Sequence, residues 1–299
     1  MIGSIVINAM NEPGKLRATI IVPVYRDWVG VRNILSSFST QGRADCEIII
    51  VDNEPEAGAV PLDLPDPGGM PWRVVACPTA GSYAARNVGA EQALGSLLIF
   101  TDADCLPAQG WLENLLHHDD GKTLLAGPVV LTPGIAPNIW AIFDTVRGMP
   151  QDAFLRHGYA VTANLAIPFI VFSQTGGFDA RRLSGGDAEF CRRSRRAGFN
   201  LKMVPEAVVL HPARRTWEAL VLKARRIKGG QVASGPFMLR AFWIIRSFTP
   251  PVRELFSYSR SPHPAIWRMS ACAVRLLLWG VELIEMFRLL LGQTKPERR

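Results

Sequence analysis

Two carboxylates stand two residues apart in Thr101-Asp102-Ala103-Asp104, directly after the apolar run Leu97-Leu98-Ile99-Phe100. Side chains two apart on an extended segment point the same way, so Asp102 and Asp104 face one point where a buried strand leaves the core. Such a pair can hold one divalent cation, and a cation held there neutralises charge on a leaving diphosphate. The plainer reading of the same residues is a solvated strand end with Asp in a turn. Another acid, Asp187, stands at the predicted start of a helix in Ser184-Gly185-Gly186-Asp187. It is either a general base or a helix cap. At the positive end of the helix dipole its ionised form is favoured. His211, alone before Pro212, is a candidate ligand or a structural imidazole. Arg86, at another predicted helix start, suits a bound anion better than it suits the dipole.

These residues need elements to carry them. Four apolar, β-branched runs recur, Ala18–Val24, Glu47–Val51, Arg73–Ala76 and Leu97–Thr101, without the alternation of a half-exposed strand. Such runs suit parallel strands covered on both faces. Helical segments fit at Val29–Gln41 and Ser82–Leu94, with Gly42 and Gly95 as their C′ residues. Strand, helix, strand at this spacing implies right-handed crossovers and a doubly wound sheet, whose ligands sit beyond the carboxyl ends of the strands. Asp52, Asn53, Asp102 and Asp104 fall there. Glu54–Met70, rich in Pro, Gly and Asp, reads as a loop, and Leu124–Leu131 as a further strand. Gly185–Ala197 reads as a helix, and Leu201–Val204 and Ala207–Leu210 as short extended pieces.

Several pieces then occur in order: Ile20-Ile21-Val22-Pro23-Val24-Tyr25, Ile50-Val51-Asp52-Asn53, Ala85-Arg86-Asn87-Val88-Gly89, the Asp102/Asp104 pair and Trp111-Leu112. They continue with Gly176-Gly177-Phe178-Asp179, Gly185-Gly186-Asp187-Ala188-Glu189-Phe190-Cys191-Arg192 and Val208-Val209-Leu210-His211. As an ordered set over about residues 18–230 they resemble the family 2 glycosyltransferases. That resemblance implies the GT-A fold, a mixed, mostly parallel α/β sheet flanked by helices. It also implies sugar transfer from a nucleotide-diphospho-sugar with inversion. By the same analogy Pro23, Tyr25, Asp52 and Arg86 surround the nucleoside, Asp52 reading the base. Asp102 and Asp104 bind the ribose and a diphosphate bridged by magnesium or manganese, His211 is a further metal contact, and Asp187 is the base that deprotonates the acceptor hydroxyl. Glu189 is the second candidate for that base. Gly176-Gly177 and Asn164 fall near the acceptor, and the Arg192, Arg193, Arg195, Arg196 group is a solvated face or a phosphate contact. Gly186 stands where many relatives carry an acid. Lys223-Ala224-Arg225-Arg226-Ile227 replaces the Q-x-x-R-W of processive synthases, which points to transfer of single sugars.

The net charge of +7 is unevenly spread: residues 214–299 hold 16 Lys and Arg against 5 Asp and Glu. The division expected is a catalytic domain over 1–230 and a basic helical tail over 231–299. In Ala265–Leu291, Arg268, Arg275, Glu282, Glu285 and Arg288 interrupt the apolar sequence, so it is no membrane span. At 100° per residue these charges share one arc, opposite a broad apolar face, and Pro236–Thr249 has the same mixture. Such helices lie in a membrane interface or pack on protein. No nucleic-acid motif accompanies the basic residues. The five cysteines form no C-x-x-C pair, and residues 1–15 lack a signal-like core. The expectation is a cytoplasmic enzyme, peripheral on the inner membrane face, with a hydroxyl acceptor that is lipid-linked or a glycan precursor. A nucleotidyltransferase would need a Gly-rich basic loop where Tyr25-Arg26-Asp27-Trp28 stands. A non-catalytic scaffold would not need competent side chains at every position named.

Overall fold

The structure is a computed structural model that describes residues 16–58, 60–182, 184–233 and 237–293. The reading of residues 1–15 and the tail residues Pro236 and 294–299 lie outside them. The first half contains β1 (Leu16–Val24), α1 (Trp28–Phe38), β2 (Cys46–Asp52), β3 (Trp72–Ala76), α2 (Ser82–Glu91), β4 (Gly95–Thr101), β5 (Leu106–Pro107), α3 (Trp111–His118), β6 (Thr123–Ala126) and β7 (Val129–Thr132). The second half contains α4 (Ile139–Arg147), α5 (Gln151–Arg156), β8 (Asn164–Pro168), α6 (Phe169–Gln174), α7 (Gly186–Arg196), β9 (Asn200–Met203) and β10 (Val209–Pro212). Four helices close the chain: α8 (Trp217–Ala233), α9 (Phe237–Ser247), α10 (Val252–Ser259) and α11 (Ala265–Leu290).

The sheet order is β3-β2-β1-β4-β8-β6-β9, with β8 antiparallel to both its neighbours and the other pairs parallel. β1 sits between β2 and β4, and its Ile20, Ile21 and Val22 have no exposed surface. Burial on both faces is why its sequence does not alternate. β3 departs from the expectation: as the sheet's edge it is only half-buried. α1 covers one face with Val31, Ile34, Leu35 and Phe38, the i, i+3, i+4, i+7 stripe, and starts where Asp27 accepts the Gly30 N–H at 2.9 Å. The chain runs from β1 to β2 and β3 on one side and returns to β4 on the other. The carboxyl ends of β1, β2 and β4 therefore meet at the crevice where the order reverses.

Three local expectations are corrected. α1 ends at Phe38 and α2 at Glu91, so neither Gly42 nor Gly95 is a C′ residue. Gly95 instead opens β4, where an added Cβ would lie 2.3 Å from the Ala18 carbonyl carbon; the close approach of β1 requires glycine. The run Leu124–Leu131 is two strands, not one. It breaks at Gly127-Pro128, leaving β6 in the large sheet and β7 in a second sheet of order β5-β10-β7.

Asn164 joins these layers and is not an acceptor residue. It is fully buried, donates to the Ala207 and Pro128 carbonyls at 2.7 and 2.9 Å, and accepts from the Trp111 indole at 2.9 Å. Truncation leaves the Trp111 indole N–H and the Ala207 carbonyl unpaired, at roughly 1–3 kcal/mol each before relaxation, while the Pro128 carbonyl keeps the Val209 N–H. Asn164→Ala is expected to lower the melting temperature by several degrees or to prevent folding, checked by circular dichroism melts.

A further core joins α4, α8, α10 and α11 through Phe143, Leu220, Ala224, Tyr258, Ala271, Val274 and Leu278. α8 runs across residue 230. α11 turns a mixed face inward, with charged side chains set beside Ala271, Val274 and Leu278. Arg275 is turned inward between Glu254 and Glu282, and Glu285, 5% exposed, faces Arg225 at 3.5 Å. Outward stand Ile266, Met269, Leu277, Ile284 and Phe287, all exposed, joined by Phe242 and Ile245 of α9 and Phe256 of α10. The charged arc thus lies inward among apolar side chains, where the ion pairs neutralise it. Among the described residues, no helix is long and apolar enough to cross a membrane.

Candidate active site

Strand ends build the first part of the site. Asp102 and Asp104 leave β4 in a turn closed by the Cys105 N–H on the Asp102 carbonyl at 3.0 Å. β10 pairs with β5, Leu210 opposite Leu106, and this brings His211 alongside. Asp102, Asp104, Cys105 and His211 then offer ligand atoms that all lie within 4.8 Å of one another. His211 is 4% exposed and its Nδ1 lies 2.8 Å from the Pro212 carbonyl, so Nδ1 carries the proton and Nε2 faces the carboxylates. Nε2 lies 3.4 Å from Asp104 Oδ2. Two acceptors at that distance need a proton or a cation between them. Burial raises the Asp104 carboxyl above the usual range, opposed by His211 and reinforced by Asp102. Burial also pushes the Cys105 thiol well up, so it is a poor ligand for a hard cation; the two carboxylates and the imidazole fit magnesium or manganese.

Arg86 comes to this cluster from α2. It is 4% exposed and pairs with Asp102. Its Nε is buried without a hydrogen-bond partner. Asp52, also buried, caps the turn after β2 by accepting the Glu54 N–H at 3.0 Å. Asn53 ties this turn to the loop before α2, donating to Cys77 and Thr79 carbonyls at 2.9 and 2.7 Å and accepting the Gly81 N–H at 2.9 Å. Pro23 and the exposed Tyr25 stand at the end of β1 beside it.

Asp187 is placed by α7. The N-cap of α7 is Gly185 in the left-handed conformation, with no side-chain cap, so the capping-box reading fails. Asp187 Oδ1 accepts the Ala188 N–H at 2.8 Å and the Tyr83 hydroxyl at 3.3 Å. Its electrostatics also differ from the helix-dipole expectation. Although partly open to solvent, the carboxyl is crowded by protein, and desolvation raises its pKa against the Ala188 N–H, Arg86 and Tyr83. The Asp102 charge, near enough to act on this carboxyl, also raises its pKa.

Tyr83 links the two halves and escaped the sequence reading. The Arg86 guanidinium lies 5.7 Å from its ring centroid, while its hydroxyl reaches Asp187. Burial pushes the phenol up, which keeps it a donor. Its signal was the i, i+3 spacing from Arg86, which puts both on one face of α2. Tyr83 also explains Gly186: a Cβ there would lie 2.7 Å from the ring, so an acid at this position has no room. Since the Tyr83 hydrogen bond holds the Asp187 pKa down, Tyr83→Phe is expected to raise it further. The acid limb of a pH–rate profile should move to higher pH while the alkaline plateau holds. An unmoved limb would remove Tyr83 from the site.

Other candidates take structural places. Glu189 pairs with Arg193 at 2.8 Å, and Arg193 also donates to the Gly177 carbonyl at 2.7 Å, so neither is free for catalysis or phosphate. Arg192 lies 4.9 Å from the Tyr159 ring centroid. Gly176-Gly177 form a left-handed turn held to α2 by Asn87, whose Oδ1 accepts the Phe178 N–H at 2.9 Å. From α8, Arg226 lies close enough to Asp102 and Arg86 for their charges to act on it. In the sequence this segment stands out only by lacking Q-x-x-R-W.

Residues 19–180 match the family model described as glycosyl transferase family 2. Over 282 residues the chain is 26% identical to the glycosyltransferase AglE of Haloferax volcanii, covering 89% of this chain and 93% of that protein. It is 28% identical over 224 residues to the pre-mycofactocin glycosyltransferase of Mycobacterium tuberculosis, 70% of this chain but 46% of that protein. Among solved structures, the mannosyltransferase PcManGT of Pyrobaculum calidifontis, in complex with GDP-Man and Mn2+, superposes with a TM-score of 0.56. The match covers 91% of this chain and 89% of that one at 16% identity, a likeness of fold.

Proposed function

This chain belongs to glycosyl transferase family 2, and from that premise we propose that it moves one sugar, with inversion, from a nucleotide-diphospho-sugar to a hydroxyl of a lipid-linked or surface-glycan acceptor. The observation that carries the reading is one continuous polar path. It runs from His211 and Asp104 through Asp102 and Arg86 to Tyr83 and Asp187. Magnesium or manganese held by Asp102, Asp104 and His211 supplies charge neutralisation for the departing diphosphate. Arg86 fixes Asp102, and Asp52, Pro23 and Tyr25 flank the nucleoside. Asp187 takes the proton of the acceptor hydroxyl at Oδ, with the Tyr83 hydroxyl orienting its carboxylate. Single transfer, rather than polymerisation, follows from Lys223–Ile227 in place of Q-x-x-R-W.

The outward apolar residues of α9, α10 and α11, set among arginines, support seating on an anionic membrane surface at its cytoplasmic face. The metal and nucleotide in the solved neighbour suggest the probes. Calorimetry with uridine and guanosine diphosphates should show binding with manganese and little without it. Flotation with phosphatidylglycerol vesicles should carry the chain upward, less so at high salt. Binding indifferent to manganese would reject the metal-dependent transferase, and a chain that ignores the vesicles at low salt would reject the membrane seat.

A further inference from the structure

The helices α4, α8, α9, α10 and α11 line a cavity of about 480 Å³ along α8, the helix whose Arg226 lies near Asp102 and Arg86 of the acidic cluster. Its size is that of a ligand pocket rather than a packing defect. Six cations line it, Arg147, Lys223, Lys228, Arg246, Arg253 and Arg275, against two carboxylates, Glu254 and Glu282. Both carboxylates are already engaged by Arg275. Lys228, 5% exposed, has among the described residues only the Ser247 hydroxyl at 2.9 Å. The fully buried Asp144 is divided between Arg214 at 3.0 Å and Arg147 at 3.5 Å. Lys223 and Arg226, three apart on α8 and so on one face, have no hydrogen bond or ion pair among the described residues, and Arg226 Nε is buried. Burial together with Arg147 and Arg214 pushes the Lys223 ammonium well below its usual range, and Asp144 opposes this only in part.

Half-buried cations that outnumber their carboxylates, with Lys223 and Arg226 unpaired among the described residues, are costly unless an anion completes the cluster. The walls also carry Phe143, Trp243 and Trp279, and the α9 wall adjoins the exposed Phe242 and Ile245. A polyanion such as nucleic acid would not need this apolar lining. We propose that the cavity holds the phosphate of an amphiphilic acceptor, gripped by Lys223 and Arg147, with the acceptor's sugar-bearing end directed past Arg226 toward Asp187. The assignment names the acceptor class for the proposed transfer and rests on that reading. Charge-assisted contacts to phosphate supply the grip and the aromatic wall takes the start of the chain.

Titration calorimetry of the full chain with dodecyl phosphate below its micelle concentration tests this. Dodecyl maltoside serves as the uncharged amphiphile and inorganic phosphate as the anion without a chain. Dodecyl phosphate is expected to bind saturably, about tenfold or more tighter than either control, and Lys223→Met is expected to weaken it by about tenfold, with Lys223→Arg restoring most of the loss. Arg147→Gln, at a half-exposed side chain on a different helix, should weaken it too and carries the comparison if Lys223→Met does not fold. Equal binding of dodecyl maltoside, equal binding of inorganic phosphate, or affinity indifferent to both substitutions would overturn the proposal. Manganese-dependent nucleotide binding is measured on the unsubstituted chain. Its loss with dodecyl phosphate binding intact rejects the transferase reading alone, and the converse result rejects the cavity alone.

Discussion

Asp104→Ala is expected to abolish manganese-dependent nucleotide binding and to lower transfer by on the order of 10³-fold, the rate equivalent of several kcal/mol of lost charge stabilisation. The size follows from how little in the cluster can replace this carboxylate. Asp102 is committed to Arg86, and the Cys105 thiol is held protonated by burial. His211, with Nδ1 on the Pro212 carbonyl, would face the vacated place with one nitrogen alone. The fold has little stake in the residue: Asp104 is 40% exposed and sits in the turn after β4, so the melting temperature should hold. The raised Asp104 carboxyl also sets a sign for pH. A cation needs the carboxylate ionised, so nucleotide binding should weaken as the pH falls, beginning above the usual aspartate range. Calorimetry at two pH values reads both effects, and an Asp104→Ala chain that still binds GDP only with manganese would move the metal elsewhere.

How much of this was legible in the sequence depends on how local each cause is. Asp52, Asp102 and Asp104 were placed correctly at strand ends because the burial of one strand determines where its carboxyl end emerges. His211 could be named only through the resemblance, since its position depends on β10 pairing with β5 about a hundred residues away in sequence. The Leu124–Leu131 run hid a change of sheet because periodicity reports burial and not the partner. For α11 the two faces were readable, but their sense was not. Which face turns inward was decided by Glu254 and Arg225, which lie on other helices. The basic cavity needed five helices at once, and no single segment carries its pattern.

The identity of the base is decided by environment more than by motif. Asp187 and Glu189 lie in the same turn of α7, yet Glu189 is held by Arg193 while Asp187 meets Tyr83 and feels Arg86 and Asp102. Asp187→Asn keeps the shape and the Tyr83 contact but cannot accept the acceptor's proton, so kcat should fall by roughly 10²–10⁴-fold. Donor affinity should change little, because Asp187 touches none of the proposed metal ligands. The wild-type pH profile carries the matching sign. Burial raises the Asp187 pKa, a base works only as the carboxylate, and activity is therefore lost on acidification at a pH above the usual aspartate range. A carboxyl so raised is also the stronger base once ionised, which is what removing a proton from a hydroxyl requires. Asp187→Asn should erase that limb, whereas Glu189→Gln should release Arg193 and lower stability without moving it. If Glu189→Gln removes the limb and Asp187→Asn leaves it in place, the general base is Glu189, and the path through Tyr83 serves only to hold α7 against α2.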